Sequence, residues 1–181
     1  MKHLFHSLMV VALFTLSVFA QSDVSRDEGI AAYRSGDFDR AASSLQKAVK
    51  TDESNKLAWL YLGAAFVKLG KEKEASIAFK NSLVDYKGPT ENLDQDVKVG
   101  LKQRAQYTDQ ARQNQVQGTV RVVVEFGADG KIGFIFPFQT LPDGLTGNVV
   151  NVAKLIQFEP AKSGNHAVTT VKVESYNFNI Y

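Results

Sequence analysis

The chain has 181 residues, 44% of them hydrophobic, with 21 basic against 19 acidic side chains for a formal net charge of +2, and it has no cysteine. That length can bury one modest core or two small ones. Near-neutral charge without a basic block leaves no phosphate-neutralising surface for nucleic acid, and the missing cysteine excludes disulfides, thiolate catalysis and Cys-type zinc sites.

The first twenty residues, MKHLFHSLMVVALFTLSVFA, have a polar start with Lys2, an apolar run from Leu8 to Phe19, and small residues ahead of Gln21. This is the order of a secretory signal peptide over residues 1–20, cut between Ala20 and Gln21. The run is short of the roughly 20 residues that span a bilayer core. The alternative is an uncleaved anchor, and the chain contacts a membrane only in that case. Either way the remainder is expected outside the cytoplasm.

Residues 21–90 repeat at a spacing of 34: Gly29 superposes on Gly63, Gly36 on Gly70, Ala41 on Ala75, and Leu45 on Phe79. Self-similarity of this period predicts stacked helical hairpins. Gly29 and Gly63 are expected where the two helices of a hairpin cross, since larger side chains would hold them apart. Gly36 and Gly70 fall in the inter-helix turns, where positive φ favours glycine. With Trp59 to Leu83, WLYLGAAFVKLGKEKEASIAFKNSL, these residues resemble the tetratricopeptide repeat. The resemblance implies a concave groove lined by Arg26, Ile30, Tyr33 and Arg34 from the first copy and by Leu60, Ala64, Val67 and Lys68 from the second. Ile30 and Ala64 stand where carboxylate-clamping members of the family carry asparagine, so a clamp on a C-terminal carboxylate is not expected.

Two repeats leave an open end. Residues 91–106 place Leu93, Val97 and Leu101 at helical spacing, which predicts a capping or linker helix.

From Gly118 the periodicity changes. In TVRVVVEF, Val120, Val122, Val124 and Phe126 alternate with Arg121, Val123 and Glu125, a strand with one strongly apolar face. Gly127-Ala128-Asp129-Gly130 supplies a hairpin turn. A return strand is expected over Lys131 to Phe136, closed by Pro137. Leu145, Val149, Val152 and Ile156 then predict a helix, with Asp143 or Thr146 as N-cap candidates. A last strand follows the turns at Pro160 and Gly164. Its apolar parity changes between Val171 and Val173 and Tyr176, Phe178 and Ile180, so a bulge is expected near Glu174 and Ser175.

YTDQARQNQVQGTVRVVVEFGADGKIG with LIQFEPAK resembles the C-terminal domain of TonB-type energy transducers. The likeness covers residues 107–181 and rests on Tyr107, Ala111-Arg112, Val116, Gly118, Asp129-Gly130 and Phe158-Glu159-Pro160-Ala161. Thr108 departs from it, standing where the family carries proline. The resemblance implies a three-stranded antiparallel sheet with helices on one side, and a partner segment of an outer-membrane transporter added to the exposed sheet edge. That edge would be the C-terminal strand, carrying Val171, Val173, Tyr176, Phe178 and Ile180. The competing reading is that this edge is covered, by the repeats or by self-dimerisation.

The whole chain is thus expected to be α+β: N-terminal all-α helical hairpins followed by a small C-terminal sheet domain with packed helices. After cleavage the one histidine is His166, and no G-x-S-x-G, H-E-x-x-H or phosphate-loop pattern is present, so neither an enzyme nor a bound cofactor or metal is expected. The expected role is a periplasmic protein-binding adaptor. A membrane-anchored transducer facing the periplasm and a purely structural repeat protein are the other readings.

Overall fold

The computed structural model describes residues 21–82 and 91–180. The expected signal peptide and its cleavage site lie at or beyond the edge of these residues. The chain divides into two compact units, residues 1–89 and residues 90–181.

The described part of the N-terminal unit is four helices: α1 over residues 21–34, α2 (Phe38–Thr51), α3 (Lys56–Lys68) and α4 (Glu72–Ser82). Each hairpin turn is built the same way. Gly36 and Gly70 adopt φ of 84° and 70°. Around them Asp37 N donates to Ala32 O and Lys71 N to Phe66 O, bonds that superpose at the 34-residue spacing and satisfy the last carbonyls of α1 and α3. Asp37 and Asn55 cap the next helices, accepting from Arg40 N and Ala58 N. The crossing glycines behave as expected. A Cβ added at Gly29 would lie 2.5 Å from Leu45 Cγ, and one at Gly63 would lie 2.5 Å from Phe79 Cδ1. Ala41, Ala75, Leu45 and Phe79 are all fully buried at these crossings.

Residues 91–106 do not form the expected capping helix. They run as an extended strap across the C-terminal unit: Asp94 N and Gln95 N donate to Lys162 O, and strand β1 (Lys98–Leu101) pairs antiparallel with β4 (Gln157–Glu159). Val97, Val99 and Leu101 also alternate at period two. That spacing, with β-branched residues and Gly100 inside it, favours a strand over the helix suggested by Leu93, Val97 and Leu101.

The central sheet has strand order β3-β2-β7, all antiparallel, from β2 (Gly118–Phe126), β3 (Ile132–Gln139) and β7 (Thr170–Phe178). The β2–β3 turn closes through Gly127 N to Lys131 O, with Gly130 at φ 77°. β3 continues past its expected end, with Pro137 paired opposite Val122. A hairpin of β5 (Ala161–Ser163) and β6 (His166–Val168) precedes β7.

The expected bulge in the last strand is absent. β2 and β7 stay in continuous register from Gly118↔Phe178 to Phe126↔Thr170, and the irregularities fall in β3 instead. The parity change has another cause, because apolar side chains are buried on both faces of the sheet. Val120, Val122, Val124, Phe126, Tyr176 and Phe178 share the core with Leu145, Val149 and Ala153, while Val123 and Val171 are also fully buried on the opposite face.

Two helices cover the first face: α5 (Asp109–Gln113) and α6 (Leu145–Ala153). The N-cap of α6 is Gly144 in a left-handed conformation, in place of Asp143 or Thr146. Thr146 is committed elsewhere, accepting from Leu141 N and donating to Leu141 O. Thr108 caps α5: its Oγ1 accepts from Ala111 N and donates to Asp143 O, tying both helix starts together. Thr108→Ala is expected to destabilise the chain by about 1 kcal/mol, seen as a lower denaturant midpoint at unchanged slope.

Candidate protein-binding edge

The direction of each backbone group in β7 follows from two bonds and the β2–β7 register. Gly127 N donates to Lys131 O, and Gln139 Nε2 donates to Thr119 O, so the odd-numbered residues of β2 direct their backbone groups toward β3. The even-numbered residues of β2 therefore bond to β7, and through the register these are opposite Thr170, Lys172, Glu174, Tyr176 and Phe178. Val171, Val173, Ser175 and Asn177 point their N–H and C=O groups outward. The Ser175 carbonyl fits this assignment, because it accepts from Lys102 Nζ at 3.2 Å on the outer side.

β7 is thus an edge of nine residues without a bulge. The opposite edge is poorer. β3 has register shifts on both sides of its centre, and Pro137 stands opposite Val122, whose own groups face β7. Pro137 therefore turns its ring nitrogen, which carries no proton, to the outer side, a usual protection of an edge.

Along β7 the edge opens on a groove of about 520 Å³. Its far wall is the strap after β1, with Lys102, Arg104, Ala105 and Tyr107, and its near wall is Ser175 to Asn179. The strap is fixed by several contacts: the Tyr107 ring meets Phe178 edge-on at 5.6 Å, its hydroxyl donates to Val116 O, and Asn148 Nδ2 donates to Gln106 O. Lys172 pairs with Asp96 at 2.8 Å further along.

The side chains expected at this edge have separate positions. Tyr176 and Phe178 are packed into the helix-covered core, Val171 is buried on the other face, Val173 is half-buried, and Ile180 lies beyond the strand with 42% exposure. What the edge offers a partner is backbone, and only Val171 and Val173 among the five residues supply it. Ser175, Asn177 and Lys102 were missed in the sequence because an edge is defined by hydrogen-bond direction, which hydropathy does not report.

Tyr176 is 6% exposed, and its hydroxyl has no hydrogen-bond partner among the described residues. Burial, with the Glu174 carboxylate second, pushes its pKa up to about 12. A pKa raised above the unfolded value of about 10 contributes stability that is complete below pH 10 and lost as pH rises through 12. The chain is expected to lose stability over pH 10 to 12. Tyr176→Phe, which deletes an unsatisfied buried hydroxyl, is expected to be neutral or stabilising at pH 8 and to reduce that alkaline loss, as thermal melts at the two pH values would show.

The repeat groove is not an open surface at half of its expected residues. Ile30, Tyr33, Leu60 and Ala64 are buried, Arg26, Arg34 and Val67 are half-buried, and Lys68 is exposed. Tyr33 accounts for part of the closure, since its ring packs edge-on at 5.4 Å against both Phe38 and Tyr61.

Among the described residues, no group of three or more His, Cys, Asp or Glu is placed to hold a metal ion, and no helix is long and apolar enough to cross a membrane. His166 is exposed on the β5–β6 hairpin.

A family model described as tetratricopeptide repeat matches residues 26–88. A comparison with curated proteins found no match. Among solved structures, the chain is similar to the solution structure of the Pseudomonas aeruginosa TonB C-terminal domain, at 25% identity and a TM-score of 0.40, over 48% of this chain and 89% of that one. The N-terminal unit, in which the 34-residue repetition extends to turns and helix crossings, is similar to tetratricopeptide repeats over residues 26–88.

Proposed function

We propose that the protein is a periplasmic binding protein whose C-terminal unit takes up an extended segment of an envelope protein by strand addition along the outer side of β7. The observation that carries this reading is the uninterrupted β7 edge, with the outward backbone groups of Val171, Val173, Ser175 and Asn177, the last two of them lining a groove of about 520 Å³. An added strand gains main-chain hydrogen bonds there, while the groove reads alternate side chains. Tetratricopeptide repeats point to protein partners, and the N-terminal unit would hold a second one. The leader-like first twenty residues support export. The sequence resemblance of residues 107–181 to TonB-type domains supports an outer-membrane transporter as the source of the strand. The role is binding and not catalysis.

The test is a titration of the full chain with labelled peptides covering the periplasm-facing terminal segments of the same organism's outer-membrane transporters. Micromolar binding by at least one peptide is expected, and absence of binding by all of them at millimolar concentration would remove the transporter from the proposal.

A further inference from the structure

Lys102, in the far wall of the β7 groove, reaches across to β7 in an unusual way for a surface lysine. Its Nζ meets the Glu174 carboxylate at 2.5 Å, donates to the outward Ser175 carbonyl at 3.2 Å, and lies 4.4 Å from the centre of the Tyr176 ring. Carboxylate, carbonyl and aromatic face are three features that each favour a cation. They are in place because Glu174 and Tyr176 are two residues apart on one face of β7, with the Ser175 carbonyl directed outward between them.

A strand added to this edge needs the Ser175 carbonyl for one of its own N–H groups, so it competes with Lys102 for that acceptor. The Glu174 side chain is only 16% exposed. A docked strand that drew Lys102 away without replacing it would leave a largely buried carboxylate without its counter-charge, which is strongly unfavourable. A strand that presents its own cation on the helix-covered face, opposite Glu174, restores the charge pair as a cross-strand neighbour.

We infer that Glu174, Tyr176 and the Ser175 carbonyl form a cation subsite within the strand-docking groove, held in the free protein by Lys102 and filled in the complex by a lysine or arginine of the partner strand. This rests on the strand-addition reading above and adds to it the chemistry of one side chain. Lys102 acts as the resident competitor.

The test uses the full chain and three acetylated nine-residue peptides of alternating threonine and valine, with lysine, norleucine or glutamate at the centre. Threonine and valine are close in shape, so the peptide can slide by single residues until its central side chain lies on the helix-covered face opposite Glu174. Norleucine keeps the length of the lysine stem without its charge. The lysine peptide is expected to bind the wild-type chain more tightly than the norleucine peptide, and the glutamate peptide most weakly. Lys102→Met, which removes the competitor, is expected to tighten both the lysine and the norleucine peptide by about tenfold, because neither then has to displace Lys102, and to leave the advantage of lysine over norleucine in place. Glu174→Gln is expected to abolish the difference between lysine and norleucine. Equal binding of these two peptides to the wild-type and Lys102→Met proteins would overturn the cation subsite while leaving strand addition in place. If none of the three binds the wild-type or Lys102→Met protein and the amide signals of β7 do not move, both readings fall together.

Discussion

In the Val173→Pro variant, peptide binding is expected to weaken by at least about tenfold while the fold persists. The asymmetry comes from register. Val173 lies opposite Val123, and the backbone groups of Val123 face β3, so the N–H that proline removes is one that β2 does not use. Proline at a neighbouring even position such as Glu174 would remove a ladder bond and is expected to destabilise the sheet itself. The two variants together separate loss of an edge from loss of a strand. Thermal melts report the fold and peptide titration reports the edge. Unchanged binding by a folded Val173→Pro protein would mean that the outer side of β7 is not the docking surface.

Gly63→Val is expected to destabilise the repeat unit by about 3 kcal/mol, enough to unfold much of a unit this small. The added Cβ would lie 2.5 Å from Phe79 Cδ1, and Phe79 is fully buried, so neither helix can yield without losing packing. Phe79→Leu would return some of that space. The double variant Gly63→Val with Phe79→Leu is therefore expected to be more stable than the sum of the single effects, since residues in direct contact do not act additively. Far-UV circular dichroism through a denaturant series measures each step. Strict additivity would show that the two positions do not share the crossing. The same exchange at Gly29 and Leu45 should behave alike, because the repetition places those residues in the equivalent crossing.

The repeat unit was largely legible in the sequence. A 34-residue shift that matches glycine with glycine and a large apolar residue with another carries turn positions and helix crossings together, and Gly36, Gly70, Gly29 and Gly63 all serve as that shift implies. The three-stranded sheet was legible from the alternation in Val120 to Phe126. Two elements were not. Residues 91–106 satisfy both a helical and a strand period, and the choice is made by partners far along the chain, such as Phe158 opposite Val99 and Lys162 beside Gln95. The parity change in β7 has two physical solutions, a bulge or a strand with apolar side chains buried on both faces, and burial of Val123 and Val171 selects the second. The binding edge itself depends on which backbone groups point outward. That property is set by register against β2 and leaves no mark on residue type.

The same register gives the most direct measurement. Amide hydrogen exchange of the free chain should show slow exchange at Lys172, Glu174 and Tyr176, which bond to β2, and faster exchange at Val171, Val173, Ser175 and Asn177. With a saturating strand peptide, the odd-numbered amides are expected to become protected while the even-numbered ones change little. Protection that appears along β3, or in the repeat unit with β7 unchanged, would contradict strand addition at this edge.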